Sequence, residues 1–104
     1  MKQKRIKKGN PGLPKAIKSI LWSYDLRDVS LERDKEIIIT QVLNYGTRED
    51  IKWLLKTYGE EEIKKVVANP RSGRWWKKVL NFWAKILDVN LSKEVFENAI
   101  IKDE

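Results

Sequence analysis

Apolar residues recur at three- and four-residue spacing through most of the chain, the periodicity of amphipathic helices. Pro14 suits a first helical turn because its missing N–H has no intrahelical partner there, and Leu13, Ile17, Ile20 and Leu21 follow at helical spacing, predicting a helix over 14–22 that leads into Trp22 and Tyr24. Asp25 to Ser30 reads as a connection, with Ser30 as N-cap of a second helix over 31–45 that stops before Gly46. The run Ile37-Ile38-Ile39 is strand-like in isolation. Alternation, however, would bury Gln41, whereas Ile38, Ile39, Val42, Leu43 and Tyr45 make one helical stripe, so helix is the prediction.

Thr47 with Asp50 three residues later is a variant capping box, and Ile51, Leu54, Leu55 and Tyr58 mark a third helix ending at Gly59. Glu60, Glu61 and Glu62 then stand where the positive end of the next helix dipole falls, with Ile63, Val66 and Val67 as its buried side and an end near Asn69-Pro70. Ser72 is placed to cap a fifth helix over 73–87. Leu91, Ser92 and Phe96 have the spacing of a hydrophobic staple around the cap of a final helix over 93–101. The fold class predicted is all-α: a compact bundle of five or six short helices in a single domain, 13–104.

Residues 1–12 do not join this pattern. They combine Lys2, Lys4, Arg5, Lys7 and Lys8 with Gly9, Asn10, Pro11 and Gly12 and have almost nothing to bury, so they are expected to form a flexible basic arm. Overall, 22 Lys and Arg face 15 Asp and Glu in 104 residues, a net charge of +7. That charge is segregated. Residues 1–18 and 64–85 each hold seven cations and no acid, while 19–63 and 86–104 are acidic in sum. With no His and no Cys, His-centred proton relays, thiol nucleophiles, disulfides and the usual Cys/His zinc sites are excluded. No metal or other cofactor is expected. The absence of a secretory signal or long apolar run makes a cytoplasmic protein without a membrane role the expectation. Charged residues at 36%, two Gln and one Met resemble thermophile usage.

Wrapped on a helix, residues 73–88 predict two faces. Trp75, Trp76, Val79, Leu80, Phe82, Trp83, Ile86 and Leu87 form a broad apolar side; Arg74, Lys77, Lys78, Asn81 and Lys85 form a narrow polar side of one sign. Such a stripe suits phosphates and base edges, and equally an acidic protein surface. It is also how an ordinary surface helix looks, although an interval from Ile63 to Leu87 without one acid is unusual for a merely solvated face. Trp83 reads as core. Trp75 and Trp76 are adjacent and Trp53 lies off its helix's stripe, so at least one of these three is expected to be exposed or at an interface, where Trp is a favoured anchor. The binding residues predicted, for a partner or for nucleic acid, are Arg71, Arg74, Trp75, Trp76, Lys77, Lys78, Asn81 and Lys85, with the arm as an auxiliary.

The turn at Gly59 has the form of a helix-turn-helix joint, but its second helix opens with three acids that phosphate would repel, so 73–87 is the better nucleic-acid candidate. No catalytic residues are predicted. The acids at 49–50 and 60–62 are already explained by capping and dipole effects, and no Gly-rich phosphate loop or metal-spaced acidic set occurs.

Leu21-Trp22-Ser23-Tyr24-Asp25, Val42-Leu43-Asn44-Tyr45-Gly46, Lys52-Trp53-Leu54-Leu55-Lys56-Thr57-Tyr58-Gly59 and Leu80-Asn81-Phe82-Trp83 together resemble a family of small prokaryotic helical proteins encoded beside AbiEii-type nucleotidyltransferase toxins. The resemblance covers residues 13–87; Gly73-Arg74-Trp75-Trp76 and the basic arm depart from it. It implies an antitoxin-like, non-catalytic protein that neutralises a nucleotidyltransferase-type toxin by direct contact and also autoregulates. The alternative reading is a transcriptional regulator binding DNA through the arm and the basic helix.

Overall fold

The computed structural model describes residues 30–102. The basic arm, the helix predicted over 14–22, Trp22, Tyr24 and most of the connection after them lie outside the described residues. Five helices occur among those described, and no strand: α1 Lys35–Tyr45, α2 Arg48–Tyr58, α3 Glu60–Ala68, α4 Lys77–Ile86 and α5 Lys93–Ala99. The all-α class is therefore as the periodicity predicts. Two compact units, Met1–Trp53 and Leu54–Glu104, divide the chain within α2.

In the first unit Ser30 caps, but it caps a single turn. Its hydroxyl accepts from the Arg33 amide at 3.1 Å, and its own amide donates to the Asp34 carboxylate at 2.9 Å. The helix proper starts only at Lys35, four residues later than the predicted 31, because Asp34 turns its side chain back to Ser30 and Arg33. The triple isoleucine is helical as predicted, and Ile38, Ile39, Val42 and Leu43 are buried; Tyr45, expected in the same stripe, is 49% exposed.

At Gly46 the chain must pass close to itself. A Cβ there would lie 2.7 Å from the Val42 carbonyl oxygen and 2.9 Å from Asp50 Cβ, so glycine is needed for space. The reason Asp50 is so near is the predicted capping box: Thr47 N donates to Asp50 Oδ2 at 2.8 Å and Asp50 N donates to Thr47 Oγ1 at 3.2 Å. Both polar groups are thereby satisfied although Asp50 is buried.

The second unit takes the end of α2 into Gly59, where the helix stops as predicted; its φ of +87° with ψ 160° is a backbone conformation open to glycine. Leu54 is buried; Leu55, predicted beside it in the stripe, is largely exposed, since a neighbour in sequence is rotated by about 100° on a helix. Helix α3 follows with Glu60, Glu61 and Glu62 in its first turn, complementing the dipole, and buries Ile63, Val66 and Val67. It packs against α4. Ser92 caps α5 as predicted, accepting from Val95 N at 3.1 Å, and that helix ends at Ala99 rather than at 101.

The fifth predicted helix is corrected at both its start and its cap. Residues 72–75 are not helical: Ser72 and Gly73 form a turn, with Gly73 at φ +68°, and the segment through Trp75 satisfies the open end of α5. Ser72 Oγ and Gly73 N donate to the Asn98 carbonyl at 3.2 and 3.0 Å, and Arg74 N and Trp75 N donate to the Ala99 carbonyl at 2.9 and 3.0 Å. These are carbonyls that a helix terminus leaves without intrahelical partners. Ile101 N then donates to the Trp75 carbonyl at 2.7 Å, closing a parallel bridge between Trp75 and Ile100. Ser72 therefore caps no helix, and α4 begins at Lys77 instead of 73.

Helix α4 ends in a Schellman motif. Val89 N donates to the Ala84 carbonyl at 2.7 Å and Asp88 N to the Lys85 carbonyl at 3.2 Å, with Asp88 in the left-handed region at φ +57°.

Candidate functional site: the outer face of the fourth helix

The late start of α4 redistributes the predicted binding residues. Trp75 is 0% exposed and is the largest fully buried side chain, so it is core and not an anchor. Trp76 is the half-buried N-cap, and Trp53 and Trp83 are half-buried too. Of the three tryptophans among which one is expected to be exposed or at an interface, Trp75 is thus excluded by burial, while Trp53 and Trp76 keep part of their surface. Arg71 and Arg74 are exposed but belong to the segment entering α4, so the stripe loses its first helical member. Lys77, Lys78, Asn81 and Lys85 do share the exposed side of one helix, as predicted.

Two apolar side chains join them there. Phe82 is 53% exposed and Ile86 58% exposed, although the sequence pattern assigns both to the buried side. Helical geometry explains the difference. With Leu80 buried and about 100° of rotation per residue, Phe82 lies about 160° and Ile86 about 120° away from it, whereas Leu87 falls within about 20°. An apolar arc that wide cannot face one core. The signal was available in the angles, but broad apolarity concealed it.

On the outer side of α4 the order around the axis is Lys77, Asn81, Lys85, Lys78, Phe82, Ile86. A cationic row therefore borders an apolar one. The Phe82 ring is held by an edge-to-face contact with Trp83, centroids 5.2 Å apart and planes at 89°. An exposed ring fixed this way loses less freedom on binding than an unsupported one.

The cations on this face are not accounted for by ion pairing. Among the described residues the ion pairs are Arg33–Asp34, Lys35–Glu32, Lys52–Glu49 and Lys65–Glu62, and Lys77, Lys78 and Lys85 have no such partner. Nor does local helix stability favour them. Lys77 and Lys78 occupy the first turn of α4, which contains no acid, so both sit at the positive end of the dipole. A favourable sign at that end would be negative, as the three glutamates of α3 illustrate.

Elsewhere the charges have local explanations. The Arg33 guanidinium, hydrogen bonded to Asp34, holds its carboxyl below the ordinary carboxylate value, helped by the Ser30 amide and opposed by partial burial. Among the described residues no group of three or more acidic side chains is placed to hold a metal ion. None of their helices is long and apolar enough to cross a membrane.

No curated protein and no solved structure matches the chain. Residues 17–67 match a family of unknown function, DUF6922. The matched stretch includes α1, α2 and most of α3 and ends before the segment that enters α4.

Proposed function

We propose that this chain is an antitoxin-like binding protein, which neutralises a nucleotidyltransferase-type toxin by direct contact through the outer face of α4. The observation that carries the reading is the juxtaposition of exposed Phe82 and Ile86 with unpaired Lys77, Lys78 and Lys85 on one helix. Apolar anchors beside charges are the composition of a protein interface, in which a desolvated centre supplies most of the affinity and charges at the rim steer and select. A toxin that transfers nucleotides needs acids for Mg²⁺, and those acids are a complementary target for lysines.

The test is neutralisation of an AbiEii-type nucleotidyltransferase toxin co-expressed with this chain. Lys77→Glu with Lys78→Glu is expected to abolish growth rescue and to weaken binding in a pull-down with purified toxin. Phe82→Ala is expected to weaken it without changing charge. Full rescue by both variants removes α4 from the mechanism.

Unpaired lysines along one helix face also favour a second reading, binding of DNA through that face and the basic N-terminal block, with autoregulation as its use. Its expected mark is an affinity for duplex DNA that falls steeply with salt through counterion release. Phe82→Ala should leave that affinity unchanged, which separates the two readings.

A further inference from the structure

The face that complements α4 is present on the same unit. On α5, Glu94 and Glu97 are exposed and have no ion-pair partner among the described residues. Glu94, Glu97 and Asn98 share one side of the helix at i, i+3 and i+4. Val95, 42% exposed, lies beside them, and these residues with Lys102 line a shallow groove. One surface of the unit is thus basic with two protruding apolar side chains, and another is acidic with an exposed valine in a recess. Both are exposed together, so neither covers the other within the molecule.

We infer that the chain associates with a second copy of itself, the basic and apolar face of α4 from one copy seated on the acidic groove of α5 in the other. Lys77, Lys78 and Lys85 meet Glu94 and Glu97, while Phe82 and Ile86 bury against Val95. The apolar contact is small and the ionic pairs stay near solvent, so the association is weak, transient and sensitive to salt. Because two different surfaces meet, it either closes reciprocally into a dimer or continues head to tail. It also occupies α4, so self-association and partner binding exclude one another, and release of a partner-competent monomer on dilution follows. The inference rests on the two faces alone and does not need the toxin reading.

Sedimentation velocity of the full chain, from micromolar to millimolar concentration at low and high salt, tests it. The expected result is a sedimentation coefficient that rises with concentration at low salt and returns to the monomer value at high salt. Lys77→Glu with Lys85→Glu lowers the net charge from +7 to +3, two units per reversal. If only general repulsion governed association, this variant would self-associate more readily than the wild type; complementary faces require that it stay monomeric. Glu94→Lys with Glu97→Lys should also be monomeric. An equimolar mixture of the two double variants should associate again, since one carries two acidic faces and the other two basic ones. Phe82→Ala should weaken wild-type association by about tenfold at unchanged charge. A wild type that is monomeric throughout, a double variant that associates like the wild type, or a mixture that remains monomeric each overturns the inference. A monomeric wild type that still neutralises toxin would sink self-association and leave the partner reading standing.

Discussion

Reversing the two lysines that open α4 should stabilise the protein while it destroys binding. Lys77 and Lys78 lie in the first helical turn, exposed, with no acid in that turn and no ion-pair partner among the described residues. Each Lys→Glu reversal removes a charge the dipole disfavours and adds one it favours, and such exposed terms are worth about 0.3–1 kcal/mol apiece. The double variant changes four such terms, and at the low end of the range, where exposed side chains fall, it should gain about 1–2 kcal/mol. For a protein of this size that corresponds to a rise in Tm of about 4–10 °C. Thermal unfolding followed by far-UV circular dichroism at low salt reads it directly, and the gain should shrink at high salt through screening. Opposite signs for stability and binding are the useful feature, because a variant that is more stable cannot have lost its partner by unfolding. A Tm that falls or does not move would refute the dipole reasoning, and retained toxin binding would refute the assignment of these lysines to an interface.

Three further outcomes follow from local geometry. Gly46→Ala should destabilise by about 1–3 kcal/mol in urea unfolding, because its Cβ would press on the Val42 carbonyl oxygen and on Asp50 within the capping box; an unchanged midpoint would mean that the turn relaxes freely. Asp88→Gly should stabilise by about 0.5–1 kcal/mol, since a residue at φ +57° after the end of α4 carries both left-handed strain and a negative charge at the negative end of a dipole; a lower urea midpoint would contradict that. The Asp34 carboxyl titrates below its ordinary value of 3.8 in the folded protein, so its contribution is complete above that value and disappears as pH falls through the lower folded one. Asp34→Asn should accordingly cost stability at neutral pH and progressively less on acidification, and a stability difference independent of pH down to the acid transition would exclude the Arg33 interaction as its source.

What was legible in the sequence was mainly what depends on neighbours a few residues apart. The Thr47/Asp50 box, the Ser92 cap, the turn at Gly59 and the acidic opening of α3 are short-range hydrogen-bonding or electrostatic devices. The helical character of Ile37-Ile38-Ile39 followed from where Gln41 would otherwise point. Of the candidate site, Lys77, Lys78, Asn81 and Lys85 were found by their spacing and sign. Phe82 and Ile86 were not, because eight apolar residues spread over 75–87 obscured how far round the helix the apolar side extended.

The sequence by itself determined that this is a helical protein with segregated charge, since periodicity and composition are properties of the chain. Only the tertiary structure decided where α4 begins. The open carbonyls of α5, more than twenty residues further along, take the amides of Gly73, Arg74 and Trp75 and keep them out of the helix. That distant demand moves Trp75 from a predicted anchor into the core and takes Arg74 off the helix. Burial of Leu80 and Leu87 then fixes the rotation that turns Phe82 and Ile86 outward beside the lysines.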